Sequence, residues 1–190
     1  MPILRALAAV ALLAAAPASW LDAPSPANWN HAGATIPARS GPRDLNLASG
    51  GRCSGTVRAQ WSVEDRAVTA RGWTLVGAYH RFGPTVVVMG TSSVDGMCRP
   101  NGFQAFVFVN GTFAGTLAPN PMDARTDGSI ASLSVTLFGA NDIEADFARY
   151  VAADPMCCPH ATSAVLYHVT TQSPPRVAPS SVTTTRTATN

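Results

Sequence analysis

The chain has 190 residues, 46% of them hydrophobic and 13% charged, with 13 basic and 11 acidic side chains giving a net charge of +2; globular chains carry roughly 25% charged residues. Every basic residue is an arginine, and the near balance of charge leaves no basic footprint for a nucleic-acid backbone. The first eighteen residues hold much of the apolar excess, so one exported domain is expected rather than a membrane-embedded or charge-driven disordered chain.

Residues 1–18 carry a single cation, Arg5, then an apolar run from Ala6 to Ala16 and the small-residue triplet Ala16-Pro17-Ala18. That order reads as a signal peptide cleaved after Ala18. The run is shorter than the roughly 20 residues a transmembrane helix needs. No cysteine precedes Cys53, so a thioether lipid anchor is not expected, and a soluble or peripheral mature protein is.

From 19 to 52, Pro24, Pro26, Pro37 and Pro42 interrupt regular structure. An extended leader is predicted, read as a tethered linker with an aromatic anchor; the alternative is a strand-like segment pinned to the core by Trp20, Trp29 and His31. The folded domain is expected over 53–170. Ser62 with Asp65 three residues on predicts a helix over 63–71, with Val63, Ala67 and Ala70 facing the sheet and Gly72 closing it. Strands are predicted at 73–79 and 85–90, the second apolar on both faces. Asn110-Gly111 between two apolar runs predicts a tight hairpin joining strands at 103–109 and 112–117.

Residues 131–137 alternate so that Ser132, Ser134 and Thr136 face water. Residues 143–150 are read as a strand rather than a helix, because Gly139-Ala140-Asn141-Asp142 makes a natural hairpin loop. A strand at 164–169 is expected to close the sheet. The tail, 171–190, is Thr, Ser and Pro with almost no large apolar side chain, and disorder is predicted for it. The fold class expected is α+β: one disulfide-stapled domain with an antiparallel sheet and one short helix on it.

No catalytic constellation stands out. Neither a Gly-x-Ser-x-Gly elbow nor a His-Glu-x-x-His pair occurs. His80 and His168 end predicted strands, Glu64 and Glu144 fall on predicted solvent faces, and Asp95, Asp123 and Asp127 sit in turn-like sequence. A non-enzymatic role without a cofactor is therefore expected.

The four cysteines, Cys53, Cys98, Cys157 and Cys158, allow three pairings. Bonding the adjacent pair joins Cα atoms about 3.8 Å apart, short of the usual 4.4–6.8 Å. Each is therefore expected to pair outward, with Cys53 and Cys98 as the two partners. A second reading makes Met156-Cys157-Cys158-Pro159-His160 a soft-metal site for copper or zinc, although adjacent cysteines seldom both reach one ion. A third is a peptide-binding or inhibitor module using Trp61, Trp73 and Tyr79.

The run from Gly90 through Val94-Asp95-Gly96-Met97-Cys98-Arg99-Pro100, the hairpin Phe106 to Leu117, and Ala148-Arg149-Tyr150 leading to Asp154-Pro155-Met156-Cys157-Cys158-Pro159 together resemble the LppP/LprE lipoprotein family. The resemblance covers residues 60–170 and implies an envelope-facing domain of undetermined activity, with no catalytic residues to carry over. The missing lipidation cysteine favours a secreted or periplasmic form.

Overall fold

The computed structural model describes residues 19–187; the expected signal peptide lies outside the described residues. Ser62 opens the predicted helix, α1 (Val63–Ala70): its hydroxyl accepts from Asp65 N while the Asp65 carboxylate accepts from Ser62 N. The strands follow as β1 (Thr74–Phe82), β2 (Thr85–Thr91), β3 (Ser93–Val94), β4 (Pro100–Asn101), β5 (Gln104–Val109), β6 (Thr112–Thr116), β7 (Ser129–Leu137), β8 (Asp142–Arg149), β9 (Ala161–Thr170) and β10 (Arg176–Arg186). Asn110 and Gly111 both take positive φ, 49° and 75°, as the two-residue hairpin turn requires. Residues 143–149 form the predicted strand, and Ser132, Ser134 and Thr136 are exposed.

Instead of one sheet the described residues form two four-stranded antiparallel sheets, in the orders β1-β2-β5-β6 and β10-β9-β8-β7, and a two-stranded antiparallel ribbon, β3-β4. The four-stranded sheets face each other over a core built from Val87, Met89 and Val107 of the first sheet and Ile143, Phe147 and Tyr167 of the second. β1 runs beside β7 and β6 beside β10, so the sandwich is joined along both margins. The outer face of the first sheet packs Trp73, Val86, Val88 and Phe108 beneath Val68 of α1. That explains why β2 and β5 are buried along their whole length. The fold is thus richer in β-structure than the predicted α+β class.

The leader is part of the domain. Leu21 and Leu47 are buried, and Trp20 stacks edge-on against Phe147, 5.1 Å between centroids, and against Trp29 at 5.0 Å. Asn30 acts as a strand substitute: its amide donates to Thr116 O at 2.9 Å and its Oδ1 accepts from Thr116 N at 2.8 Å. Ile36 and Pro37 offer carbonyls to Arg71 Nε and Trp73 Nε1. His31 is exposed and makes no anchor.

The tail corrects a second expectation. β10 pairs with β9 from Arg176 opposite Thr170 to Arg186 opposite Ala161, with Val177 and Pro179 buried beneath it. Strand β9, therefore, does not close the sheet. Val182 N also donates to Pro24 O at 3.0 Å, so tail and leader bind each other.

The helix face departs from the prediction. Ala67 packs against the sheet as predicted, but Val63 and Ala70 are exposed, while Glu64, Asp65 and Val68 are buried. Asp65 receives both Arg58 nitrogens, at 2.6 and 2.9 Å, together with Trp61 N at 2.8 Å. This ion pair turns a charged stretch of α1 inward, which apolar periodicity does not register.

Candidate functional site

The cysteines pair otherwise than expected. Cys53 bonds Cys98, with Cα atoms 5.3 Å apart, and Cys157 bonds its neighbour Cys158 across 3.8 Å. The reason is placement. Asp44 accepts from Val94 N at 2.9 Å, and the Arg52 side chain donates to Gly96 O, so the leader turn carrying Cys53 lies against the turn carrying Cys98. Cys157 and Cys158 belong to a different neighbourhood, the exposed loop between β8 and β9.

That loop is closed by Asp154. One of its carboxylate oxygens accepts from Val151 N at 2.9 Å and His160 N at 3.2 Å, and lies 2.8 Å from His160 Nδ1. The two N–H groups and His160 together hold the Asp154 carboxyl below the ordinary carboxylate range, led by the bond from Val151. The loop is tied to the body of the domain at two places: Met156 O accepts from Arg125 Nη1 at 2.9 Å and from Tyr150 Oη at 3.2 Å, and Thr187 donates through Oγ1 to Pro159 O at 3.0 Å and through N to His160 O at 2.8 Å.

Beneath this loop lies a pocket of about 290 Å³. Phe103, Ile130 and Ala148, all buried, form its apolar surface. The irregularity in β7 between Ile130 and Val135 carries Ser132 and Leu133 at positive φ, 54° and 52°, and opens the wall on that side. Arg99, Arg125, Tyr150 and Cys157 stand around it. Arg99 is held by Asp95 through a 2.5 Å ion pair; its bonds to the Asp95 carboxylate, with those of backbone N–H groups, keep that acid at about 2. Arg125 has no carboxylate partner among the described residues, and none of the described residues lining the pocket is acidic.

Of the candidate soft-metal segment, Cys157 and Pro159 line this pocket. Met156, Cys158 and His160 are exposed in the same loop, and both sulfurs of the adjacent pair are bonded to each other rather than available as thiolates. Among the described residues no group of three or more His, Cys, Asp or Glu side chains is arranged to hold a metal ion. Of the three aromatics proposed for a peptide surface, Trp61 is 72% exposed, Tyr79 half-buried and Trp73 buried. Arg99 and Tyr150 entered the sequence reading only as parts of the family motifs, with no site role, and Arg125 not at all. Both arginines sit in turn sequence, and only the contact of Arg125 and Tyr150 with Met156 O, across 31 and 6 residues, gathers them.

No helix among the described residues is long and apolar enough to cross a membrane. No curated protein and no solved structure matches the chain. The model of the LppP/LprE lipoprotein family matches residues 79–172, a segment that contains every residue lining the pocket. That match falls on the same family whose motifs the sequence resembles.

Proposed function

We propose that this is an exported, non-catalytic binding domain of the cell envelope, and that it takes a small amphipathic anion in the pocket beside the Cys157–Cys158 ring. The match of residues 79–172 to a lipoprotein family supports export or envelope attachment. The observation that carries the binding reading is the pairing of an apolar surface, Phe103 with Ile130 and Ala148, with a guanidinium, Arg125, that pairs with no carboxylate among the described residues. An apolar body buries against the first while an anionic head meets the second. The volume of about 290 Å³ suits a ligand of modest size.

The probe is 8-anilinonaphthalene-1-sulfonate, titrated into the full mature chain and followed by fluorescence. Saturable 1:1 binding is expected, weakened at least tenfold by Arg125→Gln, as the loss of one charge-assisted contact predicts, and abolished by Ala131→Trp, which fills the pocket. Binding that is absent, or that is indifferent to both substitutions while both variants retain the wild-type thermal unfolding, overturns the reading. Intact mass with and without reduction, with metal analysis, separates it from soft-metal binding: two disulfides and no metal are expected.

A further inference from the structure

We infer a second binding site, for a compact zwitterion such as an α-amino acid with an apolar side chain, in the groove between the start of α1 and the β5–β6 turn. The groove encloses about 460 Å³ and lies on the opposite side of the first sheet from the sandwich core. Its distinguishing feature is Glu64. That side chain is 93% buried by its 7% exposure, has no ion pair among the described residues, and makes only a long 3.4 Å bond from Tyr79 Oη. A carboxylate withdrawn from water without a cation is costly, and its second oxygen opens to the groove, where Gly111 leaves space beside it. An ammonium group entering there supplies the missing partner.

Two further charges line the same groove. Arg66 and Arg81 pair with no carboxylate among the described residues. Glu64 and Arg66 stand two apart on a helix, a spacing at which side chains do not face each other, so the groove keeps its opposite charges separate. A ligand with ammonium and carboxylate on one carbon meets both. The apolar part of such a ligand has Val63, Val86 and Pro84 beside it and the indole of Trp61 at the mouth. Arg58 braces this aromatic edge, its guanidinium 5.7 Å from the ring centres of both Trp61 and Tyr79.

The site is independent of the pocket at Cys157, so the two readings fail separately. Phenylalanine, N-acetylphenylalanine and phenylalanine amide are titrated into the full mature chain, with calorimetry and the emission of Trp61 as readouts. Phenylalanine is expected to bind saturably, each blocked form at least tenfold more weakly, and Arg125→Gln to change none of these. Glu64→Gln is expected to reduce phenylalanine to the affinity of the N-acetyl form. The exposed Arg66→Gln is expected to reduce it toward that of the amide, which keeps the test open if the buried substitution impairs folding. Equal affinity for free and blocked forms, preference for the N-acetyl anion, or no saturable signal with any of the three overturns the inference.

Discussion

Gly115 shows how far one residue decides the joining of the two sheets. Its φ is +137°, and a Cβ placed on it would lie 2.3 Å from Asn30 Cγ and 2.8 Å from Val177 Cγ1. The leader and β10 can both reach β6 only because that atom is missing. Gly115→Ala is expected to cost at least about 3 kcal/mol, from strain and forced displacement together, read as a lowered urea midpoint. Gly111→Ala, where the added atom meets Val63 at an ordinary 3.5 Å, should cost only about 1–2 kcal/mol for the left-handed backbone. Asp65 gives the matching electrostatic case. Burial pushes its carboxyl up, but Arg58 and the N–H groups of Trp61 and Ser62 outweigh that, and the pKa falls below the ordinary carboxylate value. A folded-state pKa below the unfolded one means that the stabilisation is present above about pH 4 and is lost as pH falls through the folded value. Asp65→Asn should therefore lose about 3 kcal/mol at pH 7, because Arg58 is left buried without its partner. The gap to wild type should narrow at pH 2.5 in the same urea measurement. The capping box that Asp65 completes was legible in the sequence. Its ion pair was not, because Arg58 lies seven residues upstream in irregular chain.

At the scale of elements, the legible parts are those whose partners are near in sequence. β1–β2, β5–β6 and β7–β8 are hairpins with short connections carrying Gly, Pro, Asn or Asp, and each was readable from its turn. β10 was not. Averaged over its length the tail holds too little apolar surface to fold alone, but it does not fold alone. β9 offers an open edge backed by Val165, Tyr167 and Val169. Against that edge two inward residues, Val177 and Pro179, and a run of β-branched Val and Thr are sufficient. Pro179 is tolerated because it sits on an edge strand beside a register shift. The first half of β10 should then carry its stability. Val177→Ala is expected to cost about 2 kcal/mol, whereas Thr185→Ala, exposed near the strand end, should stay within about 0.5 kcal/mol. Equal and negligible effects in urea unfolding would mean that the tail contributes nothing to the folded state.

Over the whole molecule the two disulfides have different work, and sequence separation sets the difference. Cys53 and Cys98 lie 45 residues apart and enclose α1, β1, β2 and β3. Constraining that loop in the unfolded chain is worth about 4 kcal/mol in the chain-entropy model. Cys157 and Cys158 are one apart and enclose no loop whose entropy could matter. Four sulfurs in one exported chain read as a single cluster, but the fold puts the pairs in separate places: one tying the end of the leader to the β3–β4 turn, the other in the loop over the pocket. The double replacement Cys53→Ser with Cys98→Ser is therefore expected to lower stability by about 4 kcal/mol in urea unfolding, while leaving anilinonaphthalene sulfonate binding intact under conditions where the chain is still folded. Cys157→Ser with Cys158→Ser should do the opposite, holding the unfolding midpoint within about 0.5 kcal/mol of wild type and weakening the probe. Non-reducing peptide mapping fixes the premise first, by recovering one peptide pair joined through Cys53 and Cys98 and a single peptide with both Cys157 and Cys158. Cross-linking of either outer cysteine to either adjacent one would remove the basis for dividing stability from binding in this way.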